Sequence, residues 1–138
     1  MSDSDAPVSV SHEFVVDWLR KYEAAWRTAG TAALAEVFTE DATYSTAPYD
    51  APLGGLDEIG TMWEQERDGP DEQFTMTSEI VAIDGDTAVA RLKVDYAGPP
   101  VREYRDLWIM RFDRSGRCLA FEEWPFWPAQ PKTVPRDP

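Results

Sequence analysis

The sequence is poor in the residues from which disulfides, metal centres and nucleophilic sites are built: 138 residues include one cysteine, Cys118, and one histidine, His12. A lone cysteine allows neither an intramolecular disulfide nor a cysteine-based zinc site, and it suits a reducing cytoplasm, the compartment expected here. A lone histidine leaves no Ser-His-Asp triad, Cys-His pair or multi-histidine metal site. No metal and no cofactor are expected; His12 reads as a solvated surface group and Cys118 as a small strand side chain. Basic residues are also scarce, with 13 Lys plus Arg against 26 Asp plus Glu and a net charge of −13. Such a field repels phosphate backbones and anionic lipid, so neither nucleic acid nor membrane is an expected partner. No apolar run approaches the ~20 residues of a membrane span. The acidic stretch Met1 to Val10 lacks the basic and apolar regions of a secretion signal.

What the chain does have is large apolar surface: 43% of residues are hydrophobic and 12% aromatic, including six tryptophans. That is enough to fill a core and line a cavity, and the length fits one domain. The expected organisation is a flexible tail over 1–10, a domain over 11–127 and a second tail over 128–138.

Ser11 can cap a helix with Glu13 near its positive end, and apolar residues from Phe14 to Trp26 recur at helical spacing until Gly30. Thr31 can cap a short second helix through Phe38. Ala42 to Thr46 is small and β-branched, hence extended, and Ala47 to Gly55 is a loop. Leu56, Ile59, Met62 and Trp63 mark a third helix, which Asp68-Gly69-Pro70 ends. The period then changes to two. Gln73 to Ile83 and Thr87 to Tyr96 read as a hairpin closed by Asp84-Gly85, and Val101 to Phe112 and Arg117 to about Phe126 as two further strands. Helices first and a meander after predict an α+β fold, with helices packed on one face of a curved antiparallel sheet.

If Asp84-Gly85 is the two-residue turn, Met76, Ser78 and Ile80 share a face with Val89, Arg91, Lys93 and Asp95. Carried onward, that face takes Tyr104, Asp106, Trp108, Met110 and Phe112, then Leu119, Phe121 and Glu123. Ala88, Ala90, Leu92 and Val94 fall on the other face with Glu79, Glu103, Arg105, Arg111 and Glu122. A bulge near Gly116 would exchange Glu122 for Glu123, so both stay open.

The stretches Y-E-A-A-W-R-T-A-G-T, A-L-A-E-V-F-T-E-D-A-T-Y, P-Y-D-A-P-L-G-G-L-D-E-I and R-F-D-R-S-G-R-C-L-A-F-E-E-W resemble the SnoaL-like branch of the nuclear transport factor 2-like superfamily, over roughly Phe14 to Trp124. The resemblance implies a cone-shaped barrel with a deep pocket, commonly dimeric, used by steroid isomerases, epoxide hydrolases, polyketide cyclases, dehydratases and non-catalytic proteins alike. It places Tyr22 where the isomerases keep an oxyanion-binding tyrosine and Trp108 where they keep a protonated aspartic acid. Their general base falls on Thr46, which argues against steroid isomerisation. Glu123 matches a carboxylate of limonene-epoxide-hydrolase-like members, and Lys93-Val94-Asp95 loosely matches their Arg-x-Asp, with lysine in place of a bidentate arginine.

The catalytic candidates are therefore Glu123, Asp106, Tyr22 and Asp95, and the substrate-binding candidates Tyr44, Trp63, Arg91, Lys93, Tyr104, Trp108 and Phe121. Two carboxyl groups in an aromatic pocket have their pKa values pushed up and apart, so that one accepts a proton while the other donates. The competing reading pairs Asp106 with Arg91 as a structural ion pair. Trp26 stands between core packing and the pocket wall. The expected ligand is a small apolar oxygenated molecule, handled by cofactor-free isomerisation, cyclisation, dehydration or epoxide opening. The alternatives are a non-catalytic carrier or sensor and a dimerisation module. A homodimer is expected through the outer sheet face, with Leu107 and Ile109 beside Cys118 and Ala120.

Overall fold

The computed structural model describes residues 8–67, 73–98 and 101–130. The first helix, α1 (His12–Arg27), starts where Ser11 accepts a hydrogen bond from the Phe14 amide at 3.1 Å. Val15, Trp18, Leu19, Tyr22 and Ala25 recur on one face, and that face is buried. Trp18 illustrates the docking: its indole donates to the Val37 carbonyl at 3.0 Å while its ring meets Phe38, Phe112 and Phe121.

The helix expected to run through Phe38 is only the four-residue α2 (Leu34–Val37), because Phe38 is extended and opens β1 (Phe38–Ser45). There it pairs with Cys118, and both are fully buried. The loop after β1 holds the two-residue β2 (Leu53–Gly54), and α3 (Gly55–Glu66) follows, its first turn tied by the Glu58 carboxylate accepting from the Gly54 amide at 2.9 Å. Arg67, just past α3, ties the ends of two helices together. Its guanidinium donates to Thr28 O at 2.6 Å and Gly30 O at 2.8 Å, reaches Trp26 O at 3.3 Å, and pairs with Glu64. The Asp68-Gly69-Pro70 stop and Pro99-Pro100 lie outside the described residues, as do most of both expected tails.

Strands β3 (Phe74–Asp84), β4 (Thr87–Tyr96), β5 (Arg102–Phe112) and β6 (Cys118–Phe126) form the expected meander. The whole sheet runs β2-β1-β6-β5-β4-β3, curved, with β1 parallel to β6, so it is mixed rather than wholly antiparallel and is open rather than closed. The parallel pair arises because the chain leaves β1 through α3, crosses to the far edge at β3 and works back strand by strand.

The β3–β4 hairpin corrects the expected facing of one strand. Its two-residue loop is Gly85-Asp86, with Asp84 paired to Thr87, and Gly85 alone has positive φ (+61°). Glycine at the first loop position is the type II′ solution, so Asp84 is the last strand residue and not part of the turn. The loop shift by itself moves the register by two residues and keeps the facing; the one-residue bulge at Val81 is the odd step that turns β4 over relative to Met76, Ser78 and Ile80. Ala88, Ala90, Leu92 and Val94 face the core, and Arg91, Lys93 and Asp95 lie on the outer face. Arg91 pairs there with Glu79 at 2.6 Å, and Lys93 stands 3.9 Å from Asp95. The bulge at Val81 also puts Ile80 and Ile83 on the core side of β3, and another at Leu119 turns Cys118 inward, away from the outer face expected for it. Glu123 and Phe121 thereby share the inner face with Asp106, Trp108 and Met110, which settles the open choice in favour of Glu123 over Glu122.

Candidate functional site

Asp106 and Glu123 sit on neighbouring strands: Asp106 pairs with Pro125 and Glu123 with Trp108, so the two carboxyl groups are one side-chain step apart on the inner face. Two tyrosines complete the cluster. Tyr44, on β1 opposite Phe121, donates to Glu123 Oε2 at 3.2 Å. Tyr22, brought over the sheet by α1, has its hydroxyl 2.9 Å from that of Tyr44 and 3.5 Å from the same carboxylate oxygen. With Tyr44 donating to Oε2 and Tyr22 to the Tyr44 hydroxyl, Oε1 is left for a ligand. Asp106 accepts from the Trp108 indole at 3.2 Å through Oδ2, whereas its buried Oδ1 has no hydrogen-bond partner.

These groups line a cavity of about 300 Å³ between α1, α3 and the concave face of the sheet. Tyr22 and Trp26 form its α1 wall, and Met62 and Glu66 its α3 wall. Tyr44 and Thr46 come from β1 and its end, Phe74 and Met76 from β3, and Val94 and Tyr96 from β4. Arg102, Tyr104, Asp106 and Trp108 follow one another along β5, increasingly buried with depth, and Glu123 and Pro125 face them from β6. The volume suits a ligand of one or two rings.

Burial dominates the electrostatics. It pushes the Glu123 carboxyl from the ordinary 4.5 to about 8, with the Asp106 charge adding to the rise and the Tyr44 and Tyr22 hydrogen bonds opposing it. Burial likewise lifts Asp106 from 3.8 to about 6 against the indole hydrogen bond. Both tyrosines are held well above their usual range, first by burial and then by the Glu123 charge, and so remain protonated donors. Near neutrality the pair holds about one proton, with Glu123 the more strongly raised of the two.

Of the residues singled out in the sequence, Tyr22, Tyr44, Tyr104, Asp106, Trp108 and Glu123 come together on the cavity wall. Trp63 and Phe121 do not reach it. Both are fully buried behind it, packed on Tyr22 with ring centroids at 5.1 and 5.6 Å, because Tyr22 and Trp26 lie between Trp63 and the cavity. Asp95, Arg91 and Lys93 are on the opposite face of β4, and Arg91 faces Leu107 across the strands rather than Asp106. Sequence reasoning missed Glu66, Phe74, Tyr96 and Arg102. With β4 in its true facing, Tyr96 follows from Val94 and Arg102 from its pairing with Tyr96, so that signal was present.

Among the described residues no group of three or more His, Cys, Asp or Glu is placed to hold a metal ion, and no helix is long and apolar enough to cross a membrane.

The architecture recurs in solved structures at low sequence identity. An NTF-2 like protein of unknown function from Burkholderia xenovorans LB400 superposes with a TM-score of 0.65 at 16% identity, covering 88% of this chain and 89% of the other. A ketosteroid-isomerase candidate from Kribbella flavida DSM 17836 gives 0.64 at 18% identity, covering 91% of each chain. An LEH-like epoxide hydrolase of M. tuberculosis gives 0.59 at 11%, covering 83% and 84%. At these identities the likeness establishes the fold, nuclear transport factor 2-like. Comparison with curated proteins gives no match. The family model for the SnoaL-like domain matches residues 19–121, which include α1 from Leu19, all of the sheet up to Phe121 and most of the cavity wall; the chain belongs to the SnoaL-like family.

Proposed function

We propose that the protein is a proton-transfer enzyme acting on a small, mainly apolar oxygenated molecule. The observation that carries this reading is the pair of inner-face carboxyl groups, displaced to about 8 and about 6 in one aromatic cavity. Ion-paired carboxylates sit low; a pair raised and split by burial supplies an acid and a base together near neutrality. Glu123, steadied by Tyr44 and Tyr22, delivers its Oε1 proton to a ligand oxygen. Asp106 takes a proton from a ligand carbon or from an attacking water, and exchange with solvent resets the pair. Isomerisation, cyclisation, dehydration and epoxide opening all use this exchange, and two fold neighbours carry epoxide hydrolysis and ketosteroid isomerisation in their descriptions.

The test follows two probes, ring opening of a cyclic epoxide and hydrogen–deuterium exchange beside the carbonyl of a cyclic ketone. Turnover of either is expected to show a bell-shaped pH profile with limbs near the two values above, and Glu123→Gln is expected to lower it by ~10² or more with binding little changed. A second reading, a non-catalytic carrier, draws support from the closed Tyr22–Tyr44–Glu123 network, which is satisfied without a ligand. Binding without turnover across both probes selects it.

The assembly state belongs to the same proposal. Val89, Leu107, Ile109 and Trp124 form a half-buried apolar band across the outer faces of β4, β5 and β6, supporting a homodimer through the sheet. Sedimentation of a 15.6 kDa species alone at micromolar concentration would contradict it.

A further inference from the structure

Among the described residues no cation forms an ion pair with Asp106 or Glu123, and Glu66 adds a third carboxylate at the rim. Asp106 is only 8% exposed, yet its Oδ1 has no hydrogen-bond donor. A buried acceptor left without a donor costs free energy that a ligand donor recovers. Around these groups stand the faces and edges of Tyr22, Trp26, Tyr44 and Trp108, whose π-clouds attract positive charge. Among the described residues, Arg102 also lines the cavity. It precedes Asp106 by four positions on β5, about 13 Å of strand, and its guanidinium lies 4.5 Å from the Tyr96 ring centroid.

From this arrangement we infer that the cavity binds a compact organic cation, a protonated alicyclic or benzylic amine, with its ammonium donating to Asp106 Oδ1 and to Glu123 and its ring against the aromatic wall. The inference goes beyond the proton-transfer reading, since it requires binding and no catalysis. An ammonium matches the site on three counts. It brings several donors to an acceptor that has none, supplies positive charge where two carboxyls crowd each other, and places it among π-faces. A neutral alcohol of the same shape matches only the apolar part and one hydrogen bond. The field of a chain carrying −13 also draws cations toward the mouth.

Binding has a protonic consequence. The titratable and charged groups facing Glu123 are Tyr22 from α1, Tyr44 from β1, Glu66 from α3 and Asp106 from β5, with Tyr96 on β4 and Arg102 further out. None of the closer four is cationic. An ammonium beside Glu123 favours its carboxylate, so a proton leaves as the ligand enters.

The experiment titrates the full chain near neutrality with benzylammonium, benzyl alcohol and benzoate in two buffers of different ionisation enthalpy. Benzylammonium is expected to bind at least ~10-fold tighter than benzyl alcohol, benzoate weaker than either, and the ammonium to release a proton that the alcohol does not. Asp106→Asn is expected to bring the ammonium-to-alcohol ratio close to one, chiefly by weakening the ammonium. Equal affinities for ammonium and alcohol in the wild-type chain, or binding of alcohol alone, overturn the inference whether or not the variant folds, and leave the proton-transfer reading standing. A ratio unchanged in folded Asp106→Asn overturns it too, by showing that the cation sits elsewhere.

Discussion

Tyr44 donates to Glu123 across the seam between β1 and β6, and Tyr22 approaches the same carboxylate oxygen from the helix above. The acid is therefore gripped on one oxygen and offered to the cavity on the other. Because hydrogen bonds to the charged form lower a carboxyl pKa, the two tyrosines restrain a rise that burial drives.

Tyr44→Phe removes the shorter of these bonds. The Glu123 pKa is expected to rise further, by roughly 1 unit, with a stability loss of about 1 kcal/mol. Carboxyl carbon chemical shifts followed through a pH titration check the first, and urea unfolding the second. A fall in the Glu123 pKa would contradict the donor role of Tyr44.

Stability should carry the mark of the raised acids. In the folded chain Glu123 holds its proton up to about 8, whereas an unfolded glutamate releases it near 4.5. Between those values the native state binds more protons, so stability is full below the lower value and declines as pH rises through the upper one. Asp106 adds the same trend between 3.8 and about 6. Glu123→Gln is expected to remove its share, gaining on the wild type by on the order of 3 kcal/mol from pH 5 to pH 8. Urea midpoints at the two pH values measure the gain; equal slopes for both proteins would refute it.

Arg67→Met keeps the aliphatic stem but strips the donors from the carbonyls of Trp26, Thr28 and Gly30. A loss of about 1 kcal/mol is expected, since the Trp26 carbonyl is part-buried whereas those of Thr28 and Gly30 are open to water. Because Trp26 and Met62 stand on the two helices so joined, quenching of tryptophan fluorescence by a cavity ligand should weaken in the same variant.

Arg91→Ala tests the facing of β4. Its side chain is 62% exposed and its partner Glu79 68% exposed, so the change should alter stability by under ~0.5 kcal/mol and leave ligand binding intact. A large effect on binding would place Arg91 in the cavity after all.

Helical spacing and capping made α1 and α3 legible in the sequence, and alternation did the same for the four-strand meander, because each is a local property of consecutive side chains. Much of the cavity was legible too: Asp106, Trp108 and Glu123 lie on strands whose apolar alternation is strong. The facing of β4 was not. A two-residue loop at Asp84-Gly85 or at Gly85-Asp86 leaves the same residues sharing a face, and it is the single-residue bulge at Val81 that inverts Arg91, Lys93 and Asp95. The three-residue spacing of Ile80 and Ile83, both packed on the core, was the local sign of that bulge. Trp63 and Phe121 were misplaced for a different reason. Both point inward, but depth behind a wall depends on which rings lie in front, a tertiary property that periodicity does not carry.

The parallel seam between β1 and β6 gives the site a place in time as well as in space. Tyr44 and Glu123 are 79 residues apart in sequence and Tyr22 and Glu123 101, so the acid meets its donors through a long loop closure. Contacts of such separation form late, once their entropy is offset by structure already made. During synthesis Tyr22, Phe38 and Tyr44 leave the ribosome well before Phe121 and Glu123, and until the last strand docks their aromatic faces have no cover on that side. A chain halted short of β6 would show sticky rings and no acid, so competence at the site and completion of the fold arrive in the same step.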